Sequence, residues 1–331
     1  MSIKRKILIV VAIVIASLCL LAYFAGPKAE KIDYGVTFSP QQAESLNLDW
    51  RQVYREMLED LNIKKIRISA YWNQVQPQPD KYVFTDLDYQ IALAEKHKAK
   101  LVLALGSRLP RWPECHNPEW TNELDKPNLH NALLSYIETV VLRYQNSPAI
   151  EMWQVENEPF LSSFGECPKP DRDLLDKEIA LVKKLDPVRP VLITDSGELS
   201  PWFSAGKRGD AFGTTLYRYV FSDVFNRYWI NYNPYWLYRA KGGLLKLLNG
   251  SKELVIIEMQ GEPWTTKGIL NTPVEEQFRT MSLEKFENMV SVGRAIGFKK
   301  QYFWGVEWWY WMRGQGHGEF WERAKTLIDN Q

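Results

Sequence analysis

From residue 34 to residue 304 the chain alternates short apolar runs with longer stretches whose apolar residues recur every three or four positions. The short runs have the pattern of buried strands, and the longer periodic stretches that of amphipathic helices. Strands are expected at Tyr34–Phe38, Lys65–Ala70, Lys100–Gly106, Ala149–Glu156, Val191–Thr194, Ala211–Leu216, Leu254–Glu258 and Lys300–Trp304. Between them, Leu134, Ile137, Val141 and Tyr144 share one helical face, and Thr272, Pro273 and Glu275 read as the N-cap, N1 and N3 residues of another helix. Strands alternating with helices predict a parallel sheet, and eight of them predict an α/β fold closed as a (β/α)8 TIM barrel. An open doubly wound sheet is the alternative, but Phe38-Ser39-Pro40 stands where its Gly-rich phosphate turn would follow the first strand.

One run breaks this rhythm. Lys4, Arg5 and Lys6 precede an apolar stretch from Ile7 to Ala25, close to the ~20 residues with which a helix crosses a bilayer. The basic flank stays on the cytoplasmic side, which sends the rest of the chain outside. Bulky Tyr23 stands where a signal peptidase prefers a small residue. Residues 1–30 are therefore expected to form a single-span membrane anchor and its linker, with signal cleavage and secretion as the alternative. Residues 31–331 are expected to form one catalytic domain, since the 331-residue chain, 45% hydrophobic, suits a single large barrel core.

Net charge is +1, with Lys and Arg scattered among Asp and Glu, so no basic stretch points to nucleic acid. Cys19 lies in the apolar run, while Cys115 and Cys167 fall in the loops after the third and fourth strands. Successive loops of a barrel lie side by side, so in an oxidising compartment these two are expected to form a disulfide. His97, His116, His130 and His317 share no metal-ligand spacing, and neither a metal nor another cofactor is called for. Gly314-Gln-Gly-His-Gly318 follows a Trp-rich loop rather than a strand and reads as a flexible loop. The domain is expected to be monomeric.

The chemistry is carried by two runs, Trp153-Gln-Val-Glu-Asn-Glu-Pro159 and Leu254-Val-Ile-Ile-Glu-Met-Gln-Gly-Glu-Pro-Trp264, each a strand tipped by a carboxylate. Catalytic groups of such barrels sit at the C-terminal ends of the strands. Two carboxyls facing one cleft are what cleavage of a glycosidic bond requires, and Glu158 and Glu258 are the candidates. Leu254 and Ile256 share the parity of Glu258 and are expected to fill the barrel beneath it; Glu262, in the following loop, is its rival. Asn157 and Glu158 are adjacent, so the chain must bulge or leave the sheet for both to face the cleft, and Pro159 is compatible with that. Glu156 is expected to be a buried structural acid. Arg67, between Ile66 and Ile68, is expected to point into the barrel, where a guanidinium needs a carboxylate partner, Glu258 or Glu156.

The Asn157-Glu158-Pro159 turn, the strand-end Glu258, Arg67 in Ile-Arg-Ile-Ser and the Tyr302-Phe-Trp304 strand together resemble the clan A retaining glycoside hydrolases, closest in style to families 5 and 39. Tyr71-Trp-Asn-Gln-Val-Gln-Pro77 and Tyr82-Val-Phe-Thr-Asp-Leu-Asp88 also resemble the second-strand loop and following helix of such enzymes. The resemblance implies that Glu158 is the general acid/base, Glu258 the nucleophile, Asn157 a ligand to the sugar 2-hydroxyl and Arg67 the residue that orients the nucleophile. It also implies a hydrogen bond from Tyr217 to the nucleophile and a subsite floor at Trp304. Glu307 and Trp308 follow closely and are expected beside the cleft. The substrate is expected to be a β-linked oligo- or polysaccharide, consistent with the 14 Trp and 16 Tyr of the chain, whose rings suit sugar faces. A carbohydrate-binding barrel without turnover and a transglycosylase are the alternatives.

Overall fold

The computed structural model describes residues 3–222, 226–250 and 252–330. Eight parallel strands close into a barrel: β1 (Asp33–Thr37), β2 (Lys65–Ser69), β3 (Lys100–Leu105), β4 (Ile150–Val155), β5 (Val191–Asp195), β6 (Ala211–Leu216), β9 (Glu253–Gln260) and β10 (Lys300–Trp304). Each lies where apolar periodicity placed it, to within a residue or two at most ends. The chain also forms an antiparallel hairpin, β7 (Tyr219–Ser222) with β8 (Arg227–Ile230), that the periodicity did not indicate. Its two strands are four residues each and only partly buried, too short for a period to declare itself.

Strand parity divides the core in two. Val102, Met152, Leu192, Ala211, Val255, Ile257 and Tyr302 form a cluster inside the barrel. Their neighbours, including Ile66, Ile68, Leu103, Trp153, Ile193 and Phe212, join the layer between strands and helices. Leu254 and Ile256 belong to that outer layer, so they do not fill the barrel beneath Glu258 as parity suggested. The reason is a bulge in β9. Thr214 lies opposite Ile256 and Thr215 opposite Glu258, leaving Ile257 as an extra residue. The register with β10 slips by one residue in the same stretch. An inserted residue resets the alternation of faces, so Ile257 and Glu258 can both serve the interior.

The outer helices follow from their sequences. Helix Lys126–Tyr144 is capped by Asp125, which accepts from the N–H of Asn128 at 3.0 Å, and buries Leu133, Tyr136, Ile137, Val140, Val141 and Tyr144. Thr272 does not act as the expected N-cap. Its hydroxyl donates to the Gly268 carbonyl at 2.8 Å, and Pro273 precedes the short helix Val274–Gln277 in its place. Cys115 and Cys167 are disulfide-bonded, with Cα atoms 5.3 Å apart, which ties the β3 and β4 loops together. The N-terminal helix, Ile3–Ala25, contains a 19-residue stretch, Ile7–Ala25, of mean hydropathy 3.0, long and apolar enough to cross a membrane.

Candidate active site

Arg67 on β2 is fully buried inside the barrel and is the hub of the site. Its Nε donates to Gln154 Oε1 at 2.8 Å, its Nη1 to Glu258 Oε1 at 2.6 Å and its Nη2 to Asn157 Oδ1 at 2.7 Å. Gln154 in turn donates through Nε2 to the Glu156 carbonyl at 2.9 Å, so β2, β4 and β9 are locked together by side chains alone. The other oxygen of Glu258 accepts from the Tyr217 hydroxyl at 3.0 Å. Of the two expected partners for Arg67, the structure supplies Glu258.

Glu158 reaches the cleft because the chain leaves the sheet after Val155. Glu156 and Glu158 adopt left-handed backbone, with φ of 57° and 44°, a conformation that costs a residue with a Cβ about 1–2 kcal/mol. The turn is held by backbone donors: Glu156 N–H to the Leu105 carbonyl at 2.9 Å, Asn157 N–H to the Arg108 carbonyl at 2.7 Å and Glu158 N–H to Thr194 Oγ1 at 2.8 Å. The Glu156 carboxylate accepts from the N–H groups of Ser107 at 2.7 Å and Arg108 at 2.5 Å and so braces the β3 loop. A Cβ at Gly106, whose φ is +132°, would lie 2.5 Å from that carboxylate, so only glycine fits there.

The electrostatics separate the two candidate carboxyls. Burial pushes the Glu158 carboxyl well above the usual range, and the charge of Glu258 adds to this, followed by Glu114, Glu198 and Asp195. No cation pairs with Glu158 among the described residues. Glu258, by contrast, forms an ion pair with Arg67. Glu114, on the β3 loop, is pushed up to about 7 by burial and then by Glu258, and accepts from Asn157 Nδ2 at 3.3 Å.

Above these groups opens a cleft of about 690 Å³, lined by Glu114, Glu158, Glu198, Tyr217, Glu258, Glu262 and Trp304, with Trp112, Phe164 and Trp264 towards its mouth. Trp112 is 61% exposed there. Glu262, the rival of Glu258, lies against the same cleft but is committed to an ion pair with Arg111 and accepts from Trp304 Nε1 at 2.8 Å. The Arg111 guanidinium in turn sits 4.0 Å over the Trp304 ring.

Four expected site residues do not line the cleft: Arg67 and Asn157 lie buried beneath it, and Glu307 and Trp308 lie behind its wall. Glu307 is fully buried, accepting from Ser39 N–H at 2.6 Å and Arg111 Nη2 at 3.1 Å; burial raises its carboxyl to about 7 despite that arginine. It stands one layer behind the wall. Trp308 is also fully buried, donating to Gln277 Oε1 at 2.7 Å with its ring 4.7 Å from that of Phe320. Both belong to helix Val306–Gly314, which starts directly after β10 and carries them to its core face. Sequence reasoning missed Arg111 and Glu114, which lie on an irregular loop with φ of 84° and 74° and carry no periodic signal. Thr194, on a strand end, was within reach of the rule that favours such positions. Among the described residues, no group of three or more His, Cys, Asp or Glu side chains is arranged to hold a metal ion.

Comparison with known proteins bears on the family and the fold. The family model described as glycosyl hydrolases family 2, TIM barrel domain, matches residues 48–232. A probable mannan endo-1,4-beta-mannosidase F of Aspergillus flavus is 32% identical over 121 residues, covering 34% of this chain and 25% of that protein. The match thus spans about a quarter of the length of that relative. A family 5 glycoside hydrolase mannosidase of Rhizomucor miehei superposes with a TM-score of 0.57 at 16% identity, covering 84% of this chain and 82% of the other. GH5_18 of Bifidobacterium longum, solved with Manb1-4GlcNAc, gives 0.59 at 14% identity over 82% of this chain and 68% of that one. These structural likenesses concern the barrel fold.

Proposed function

Since the chain belongs to the TIM barrel domain family of the family 2 glycosyl hydrolases, within clan A, we propose that it cleaves a β-linked glycan with retention of configuration. Glu258 is the nucleophile and Glu158 the general acid/base. The observation that carries this reading is the asymmetry between two carboxyls on one cleft, one paired with a buried guanidinium and one buried without a cation. Retention needs such a pair at roughly 5–5.5 Å.

In the first step Glu258 attacks the anomeric carbon while Glu158 gives its proton to the departing glycosidic oxygen. Arg67 and Tyr217 hold both oxygens of Glu258, which fixes the carboxylate for in-line attack. Forming the glycosyl ester removes the charge of Glu258, and with it one cause that keeps the Glu158 proton bound. Glu158 then serves as the base that deprotonates the incoming water, and Glu258 departs as a carboxylate. Asn157, fixed by Arg67 through its oxygen and donating one amide hydrogen to Glu114, has its second amide hydrogen left for the sugar 2-hydroxyl, and Trp304 floors the reacting subsite. Residues 31–331 are the catalytic domain and residues 1–30 the anchor and linker. The names of the relatives make β-1,4-mannan the first glycan to test.

The test is trapping with a series of 2-fluoroglycosides, the mannoside first, followed by peptide mass mapping. The reading requires one added glycosyl mass on the peptide that carries Glu258. A label on Glu262, or sugar binding without any covalent adduct across the series, overturns it, the latter in favour of a carbohydrate-binding barrel.

A further inference from the structure

The N-terminal helix and helix Tyr235–Asn249 meet backbone to backbone. A Cβ on Gly243 would fall 1.7 Å from the Ala22 carbonyl oxygen, and one on Gly26 would fall 2.5 Å from that of Arg239. Arg239 clamps the junction, donating through Nη1 to the Pro27 carbonyl at 2.9 Å and through Nη2 to that of Gly26 at 3.4 Å. Its guanidinium lies 5.0 Å from the centroid of the Tyr23 ring. The last turn of the apolar helix is therefore seated on the barrel.

This seating sets the distance and orientation of the barrel relative to a bilayer. Ala22 meets Gly243 and Gly26 meets Arg239, so the two helices run antiparallel. Followed back from Gly26, the apolar helix passes the C-terminal end of helix Tyr235–Asn249, which lies by the start of β9 on the barrel face opposite the cleft. From Ile7 to Leu21, ahead of the seated turn, the helix rises roughly 22 Å, less than the ~30 Å hydrocarbon core. A helix that spans the core must draw the seated turn, and the barrel with it, down to the membrane surface.

The face so presented suits that position. Leu247 and Leu248, at the end of helix Tyr235–Asn249, are 61% and 62% exposed. Exposed lysines stand in the segments that lead into the strands: Lys28, Lys64, Lys98, Lys184, Lys207 and Lys299. Several acids on this face are already engaged, Glu151 by Lys65 and Lys300, Asp186 by Arg189 and Asp210 by Lys183. Asp33 pairs with Lys299 and Glu253 with Lys300 on the same face. These six lysines, far apart in the sequence, are brought onto one face by the barrel.

We propose that the barrel sits on an anionic bilayer by the face at the N-terminal ends of its strands, with Leu247 and Leu248 in the interface and the lysines on the lipid headgroups. The cleft then opens away from the membrane, towards glycan approaching from outside.

The test uses the full chain with Cys19→Ser, reconstituted in phosphatidylcholine vesicles with or without phosphatidylglycerol, and nitroxide labels at Leu248→Cys, Lys98→Cys or, on the cleft side, Lys267→Cys. The label at 248 is expected to be quenched by dissolved oxygen and shielded from a water-soluble nickel chelate by roughly fivefold relative to that at 267. The label at 98 should be shielded only when phosphatidylglycerol is present, and released by high salt. Equal nickel access at 248 and 267 overturns the seating. Indifference of position 98 to lipid charge overturns the headgroup contact. A mature N-terminus beyond residue 25 in the membrane-extracted protein overturns the whole proposal. None of these readouts depends on turnover.

Discussion

Glu158 and Glu258 reach one cleft by opposite means. Glu258 remains in a paired strand and is turned inward by a single extra residue, Ile257, so its backbone keeps ladder hydrogen bonds while its carboxylate gains Arg67 and Tyr217. Glu158 has left the sheet, sits in left-handed backbone and is buried with no cation among the described residues. A bulge changes direction at little electrostatic cost and leaves a charged group with its counter-ion. A strained turn places a carboxyl where burial keeps it neutral. One barrel rim thus holds two glutamates in different electrostatic surroundings, one ion-paired and one buried without a cation, the kind of separation that a nucleophile and a general acid require.

The contrast breaks most visibly at Glu158. Glu158→Gln keeps the shape but has no proton to give, so turnover of glycosides with poor leaving groups is expected to fall by roughly 10²–10⁴-fold. Aryl glycosides whose leaving group needs no proton should lose far less in the first step. A steady-state comparison of the two substrate types checks this, and equal losses would remove Glu158 from the acid role.

Next in size is Arg67→Met, which strips the counter-ion from Glu258 and leaves Gln154 and Asn157 without their donor. Breaking one side of a buried pair costs about 3–5 kcal/mol, readable as a lower urea midpoint. The same change frees the Glu258 carboxylate from the donor that orients it, so kcat should fall with little change in KM. A stability loss with kcat unchanged would make Arg67 purely structural.

The smallest effect concerns stability against pH. Glu114, Glu156 and Glu307 are each raised by burial from 4.5 to about 7. The native state therefore binds protons that the unfolded chain has released. Their contribution is fully present below about pH 4.5 and is lost as pH rises through about 7. Calorimetry should show a melting temperature that declines between pH 5 and 7.5, with a shallower decline in Glu307→Gln. A rising melting temperature across that window would contradict the burial assigned to these acids.

Most of the barrel was legible in the chain because apolar alternation and strand-helix rhythm are local properties. The eight strands, the inward Arg67 and the need for the chain to bulge or leave the sheet before Glu158 all follow from runs of a few residues. Parity failed at Leu254 and Ile256 because a bulge depends on the partners of β9 and leaves no mark in β9 itself. Glu307 and Trp308 were misplaced because proximity to Trp304 in sequence says nothing about which way the next helix turns. Arg111 and Glu114 were invisible because an irregular loop has no period to read.

By itself the sequence determined the strand positions, the two carboxylate-tipped strands and the apolar N-terminal run, since each is encoded in neighbouring residues. Only the tertiary structure decided which carboxylate Arg67 pairs with, which glutamate is buried without a cation and that the lysines lie opposite the cleft. Those outcomes depend on distances between residues far apart in the chain, and charge acts through space rather than along the backbone.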